Sequence, residues 1–142
     1  MVGVFVEIDE NNISLLDQFL KSAGKSLDTF RYYDHRPVKA IKNHLYTVIY
    51  TLDQQPVGYG HLDLENQIVW LGVAVIDSCL GKGIGKKIMK HLLLKGNELK
   101  LEKIRLSVDK PNVAAIKLYE KMGFEKLSES DATRFYEFDL CK

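Results

Sequence analysis

The chain has 142 residues, of which 46% are hydrophobic and 27% charged, and its formal net charge is +1 at pH 7. That length suffices for one domain with its own core, and the composition argues against a disordered, fibrous or membrane-embedded chain. A nearly balanced charge gives no general pull towards nucleic acid or anionic membrane, and the two cysteines, Cys79 and Cys141, have neither zinc-site spacing nor a disulfide framework. No metal, nucleic acid or membrane partner is therefore expected. The opening MVGVFVEIDE lacks a basic segment followed by a long apolar run, so the expected location is the cytoplasm.

The first element is a strand over Val4 to Ile8. Ile13, Leu16, Phe19 and Leu20 then recur at helical spacing until Gly24. Residues 27 to 44 mix Phe30, Tyr32 and Tyr33 with Arg31, Arg36, Lys39 and Lys42 around Pro37, which predicts short helical turns. Leu45 to Leu52 and Val57 to Leu64 are extended runs joined by the turn residues Asp53 to Pro56, and together they read as a hairpin. After Glu65 to Gln67, the apolar run Ile68 to Ile76 has the character of a central strand covered on both faces.

Ile84, Ile88, Met89, Leu92 and Leu93 form one face of an amphipathic helix whose other face carries Lys86, Lys87 and Lys90. Alternation at Ile104, Leu106 and Val108 predicts a strand. Ala115, Leu118, Tyr119 and Met122 then predict a helix closed by Gly123. Phe124 to Leu127 and Arg134 to Leu140 supply two closing strands. The order amounts to one α/β (α+β) domain over residues 1–142, with a mixed, mostly antiparallel sheet flanked by helices.

Chemistry concentrates in the connection Leu80-Gly81-Lys82-Gly83-Ile84-Gly85-Lys86-Lys87, which leads from the central strand into the amphipathic helix. The first amides of a helix have no intrahelical acceptor, glycines let a phosphate approach the main chain, and the helix dipole favours an anion there. The spacing is G-x-G-x-G, not the dinucleotide pattern G-x-G-x-x-G, and no GxxxxGK[ST] occurs. Gly24-Lys25-Ser26 ends like such a loop, but Phe19 stands where its first glycine belongs. Taken alone, a glycine-rich connection also suits a purely structural turn.

The stretch VAVIDSCLGKGIGKKIMKHLL, beginning at Val73, and the later DKPNVAAIKLYEKMGFEK, Asp109 to Lys126, together resemble the GNAT superfamily of N-acetyltransferases. The resemblance runs from about Val57 to Phe138, and the first third of the chain matches only in outline. It implies acetyl-CoA as co-substrate, with the pyrophosphate on main-chain amides of Leu80, Gly81, Lys82, Gly83, Ile84, Gly85 and Lys86. The backbone of Val73, Ala74 and Val75 is expected to run along the pantetheine arm, and Asn112 to contact that arm or cap the next helix. In the family's turn pattern Leu80 replaces an arginine or glutamine.

The resemblance also implies direct attack of an amine on the thioester, with Tyr119 protonating the departing thiolate; a core tyrosine is the alternative. Where many relatives place a glutamate base, this chain has Ser107. His61 and Asp63, which share a strand face by the two-residue period, and His44 are the residues available for proton removal. Phe30, Arg31, Tyr33, Arg36 and His44 are expected to border the acceptor. Arginines mixed with aromatics would suit a nucleotide-linked amino sugar. A protein N-terminal acetyltransferase and a non-catalytic acyl-CoA sensor are the competing readings, and dimers are common among similar proteins, so a homodimer is admitted.

Overall fold

A computed structural model of the protein describes residues 2–22 and 44–141. The described residues form seven strands and three α-helices. In chain order these are β1 (Gly3–Glu7), α1 (Ile13–Ser22), β2 (His44–Leu52), β3 (Gln55–Glu65), β4 (Ile68–Val75), α2 (Ile84–Glu98), β5 (Lys103–Asp109), α3 (Val113–Met122), β6 (Glu125–Glu129) and β7 (Thr133–Asp139). The strands make one sheet in the order β1-β2-β3-β4-β5-β7-β6. Every pairing is antiparallel except β4 with β5, whose connection contains α2. This is the mixed, mostly antiparallel sheet flanked by helices that the sequence predicts.

The β2–β3 and β3–β4 hairpins close through two-residue turns. Asp53 and Gln54 have φ of 49° and 72°, and Asn66 and Gln67 have 52° and 67°. Two successive left-handed residues give a turn whose twist matches the flanking strands. β3 starts at Gln55, two residues before the predicted Val57, and takes in Pro56. Proline has no amide hydrogen for the ladder, and the register of β2 with β3 shifts at Tyr50/Thr51, where Thr51 faces Pro56.

Alternation divides the sheet into two faces. Ile49, Tyr59 and Ala74 share a face through the registers Ile49↔Tyr59 and Tyr59↔Ala74, and they pack with Leu16 and Phe19 of α1. The opposite face carries the larger core of Val48, Leu62, Leu71, Ile104, Leu106 and Tyr136 under Ile88, Met89 and Leu92 of α2 and Ile116 of α3. Gly58 and Gly60 let α2 lie close: a Cβ would stand 2.5 Å from Ile88 Cδ1 at Gly58 and 2.6 Å from Ile88 Cγ2 at Gly60.

Gly58→Ala should therefore overpack this contact with Ile88 Cδ1 and lower stability by about 1–3 kcal/mol, read as a shifted urea midpoint. Combining it with Ile88→Val should recover part of the loss. Additive effects of the two substitutions would show that the glycine serves another purpose.

Candidate active site

The site is organised by a parting of strands. β4 and β5 share one ladder position, Trp70↔Arg105. From there towards their carboxyl ends no ladder pairing joins the two strands, so Leu71 to Val75 have no β5 residue paired with them. Val73, Ala74 and Val75 thus border a notch in the middle of the sheet, and each is held from its other side by β3, opposite Gly60, Tyr59 and Gly58.

The notch opens towards the turn between β4 and α2. After Val75 a short 3-10 turn, Asp77–Cys79, leads to Leu80, which is extended and 59% exposed. Gly81 and Gly83 both have φ of 79°, and nothing lies within 4 Å of where their Cβ atoms would be. Their requirement is conformational, not steric: the left-handed region costs other residues roughly 1–2 kcal/mol. Gly83 is the N-cap of α2, so no side chain caps the first-turn amides. An open, uncapped helix start preceded by two glycines suits a pyrophosphate, which is the fit required of an acyl-CoA. Of the nearby lysines, Lys87 lies over the Tyr50 ring at 5.9 Å, which leaves Lys82 and Lys86 closer to the turn in sequence and exposed or half-exposed.

Two residues of the second motif reach the same face of the sheet from α3. Asn112 is the N-cap, and its Oδ1 accepts from the Ala115 amide at 3.3 Å. Gly85, in the first turn of α2, has Leu118 Cδ2 within 3.6 Å of its would-be Cβ, which sets the start of α2 against the middle of α3. Tyr119 packs against the main core, its ring centroid 6.1 Å from that of Phe124. Burial pushes its hydroxyl up to about 12, so the phenol holds its proton throughout the physiological range.

On the α1 face, the register His61↔Gly72 and Asp63↔Trp70 places both side chains beside the notch. His61 is fully buried, and its Nδ1 shares a 2.8 Å hydrogen bond with the Tyr59 hydroxyl. His44, opposite Asp63 in the β2–β3 register, stacks on His61 with centroids 4.4 Å apart and planes at 20°. His44 Nδ1 also shares a 2.7 Å hydrogen bond with Thr47 Oγ1. Burial drives the His44 imidazole down to about 4, and burial followed by the neighbouring His44 holds His61 well below its ordinary value. Both rings are neutral at pH 7.

The structure thus places the Gly81 to Lys86 turn at the start of α2, Val73 to Val75 on the stretch of β4 that has no β5 partner, Asn112 and Tyr119 at the cap and in the body of α3, and His44, His61 and Asp63 on the α1 face of the sheet. Phe30, Arg31, Tyr33 and Arg36 lie outside the described residues. Residues that sequence reasoning passed over include Tyr59, the hydrogen-bond partner of His61, and Trp70, two positions before Gly72 on the same strand face. Their signal was the same two-residue alternation that singled out His61 and Asp63. Among the described residues no group of three or more His, Cys, Asp and Glu side chains could hold a metal ion, and no helix is long and apolar enough to cross a membrane.

The model of the acetyltransferase (GNAT) family matches residues 12–124. The chain belongs to this family. The spermine/spermidine N(1)-acetyltransferase of Bacillus subtilis (strain 168) is 42% identical over 71 residues, which is 49% of this chain and 47% of that protein. The match thus spans about half the length of that curated relative. Among solved structures, yncA from Salmonella typhimurium, determined with its cofactor acetyl-CoA, superimposes with a TM-score of 0.80 at 14% identity, covering 99% of this chain and 95% of that one. The ribosomal-protein-S18-alanine N-acetyltransferase from Escherichia coli gives 0.78 at 14% identity, covering 98% and 94%. At such identities the two structures establish the GNAT fold and no more.

The depressed His44 has a consequence for stability. Its folded pKa of about 4 lies below the unfolded value of 6.5, so its contribution is complete above pH 6.5. As pH falls from 6.5 towards 4, the unfolded chain binds a proton that the folded chain refuses, and about 3 kcal/mol is lost. Urea unfolding between pH 7 and pH 4.5 should show this decline, and His44→Gln should flatten it. An unchanged acid slope in the variant would assign the loss to other groups.

Proposed function

We propose that the chain transfers the acetyl group of acetyl-CoA directly to a primary amine of a small-molecule acceptor. The observation that carries this reading is the continuity of an uncapped, doubly left-handed glycine turn with a strand that has parted from its neighbour. One end suits a pyrophosphate and the other an extended amide-bearing arm, and few ligands other than an acyl-CoA combine the two.

In this mechanism the amides of Gly81 to Lys86 hold the pyrophosphate, and the main chain of Val73 to Val75 lies along the pantetheine arm as an added strand would. Asn112 uses Oδ1 for its cap, which leaves Nδ2 to reach the arm. Acetyl-CoA supplies an activated thioester. The neutral amine forms the new N–C bond as the C–S bond breaks, a main-chain N–H near Val73 stabilises the negative charge on oxygen, and Tyr119 gives its proton to sulfur. A phenol at about 12 stays protonated at working pH and is available for that transfer.

Proton removal from the incoming ammonium is assigned to His61 and Asp63. An alkylammonium near pKa 10 would hand its proton to either depressed imidazole only uphill, by about six units for a ring at 4. That suits passing the proton onward through water better than storing it. The curated relative is named for spermine and spermidine, which favours an aliphatic polyamine as acceptor. The nucleotide-linked amino sugar rests on Phe30, Arg31, Tyr33 and Arg36 and stands behind it.

Thiol release from acetyl-CoA, measured against polyamines, nucleotide-linked amino sugars and N-terminal alanine peptides, tests the reading. Binding of acetyl-CoA with no release for any amine would leave only a sensor. Tyr119→Phe should lower kcat by about 100-fold while the Kd for CoA moves little. Gly83→Ala should do the reverse, weakening CoA binding in calorimetry and costing about 1 kcal/mol of stability.

A further inference from the structure

At the apex of the notch, on the α1 face, two aromatic rings meet across β5. Trp70 of β4 and Phe135 of β7 stand edge to face, with centroids 6.3 Å apart and planes at 72°. Trp70 shares the last β4–β5 ladder position with Arg105, and Phe135 pairs with Ser107, so the rings straddle the point where the strands begin to part. Both are half-buried, and each is the other's aromatic partner among the described residues.

The other tyrosine-rich surface of the sheet is served by its own cations: Lys95 lies 4.9 Å from the Tyr46 ring and Lys87 5.9 Å from that of Tyr50. No described cation lies over Trp70 or Phe135. The nearest basic group in the ladder, Arg105, is instead held by Glu137, its Nε donating to Oε2 at 2.8 Å. Its charge is thereby matched within the sheet, so among the described residues the two rings keep their faces clear of a cation.

We propose that Trp70 and Phe135 are the specificity-determining residues of the acceptor site, receiving the far-end ammonium of an aliphatic polyamine whose other terminal amine is acetylated. The inference rests on the acetyl-transfer reading above. Distance supports it: three residues of extended strand separate Trp70 from Val73, about 10 Å, a span that a polyamine chain covers and a short monoamine does not. Asp63, opposite Trp70 in the ladder, lies on the same face of the sheet.

Steady-state kinetics on the full chain, with acetyl-CoA saturating and spermidine or propylamine as acceptor, test the proposal. Trp70→Leu should raise KM for spermidine by about 10-fold, within the range of a desolvated cation–ring contact. Its kcat should change little, and neither constant should move for propylamine. Trp70→Phe should restore most of the lost affinity. Phe135→Leu should shift KM the same way, and it provides a second reading if Trp70→Leu melts early. Equal changes for both amines, or none for either, would overturn the aromatic site while leaving acetyl transfer intact. A wild-type chain that releases no thiol with any amine would overturn the acetyl-transfer reading, and this inference with it.

Discussion

Much of the geometry follows from the parting of two strands. A parallel pair needs a crossover, and α2 supplies it. Had β4 and β5 stayed paired to their ends, the centre of the sheet would be sealed and the helix start would face a closed ladder. Because pairing is confined to Trp70↔Arg105, the β4 main chain at Val73 is left without a β5 partner on the strand that leads, through Asp77–Cys79, to the uncapped start of α2. Only a strand secured from its other side can afford such an edge, and β3 holds β4 along eight registered positions from Gly58↔Val75 to Glu65↔Ile68.

The depth of α2 on the sheet is set from the same strand. Gly58 and Gly60 let Ile84, Ile88 and Leu92 settle almost onto the β3 backbone, which fixes the height of the helix and thereby of its first turn. At the helix start, Gly85 meets Leu118 of α3 and Val75 of β4 at ordinary contact distance. The turn therefore combines rigid support beneath with open space at Gly81 and Gly83 above, the condition under which main-chain amides bind an anion without reorganising. This also explains how Leu80 is accommodated where relatives place an arginine or glutamine: its side chain is exposed, and the amides around it do not depend on its identity.

Legibility in the sequence tracked how local the cause was. The amphipathic stripe of α2, the alternation of β5 and the glycine turn are each set by neighbours within one element, and they stand where periodicity places them. The two hairpin turns are less readable. Gln54 and Gln67 take φ of 72° and 67° although glutamine has no preference for that region, because the strand registers Leu52↔Gln55 and Glu65↔Ile68 leave room for two residues. Pro56 misled for a related reason: read as a loop residue, it sits inside β3 opposite a register shift. The position at which β4 leaves β5 was not readable at all, since it depends on strands separated by the whole of α2.

The histidine pair shows how far two-residue alternation reaches and where it ends. Alternation placed His61 and Asp63 on one face, but the stacking of His44 on His61 needs the β2–β3 register, which pairs His44 with Asp63. Two imidazoles 4.4 Å apart in a dry interior cannot both be charged, and burial alone already holds His44 near 4. The pair is then a set of oriented dipoles at pH 7, fixed by Tyr59 at one ring and Thr47 at the other. Such an arrangement adds no positive charge to the face that Trp70 and Phe135 share, so an incoming ammonium meets aromatic rings and carboxylates without repulsion from these histidines. Neutrality bought by burial thus serves acceptor recognition more directly than it serves basicity.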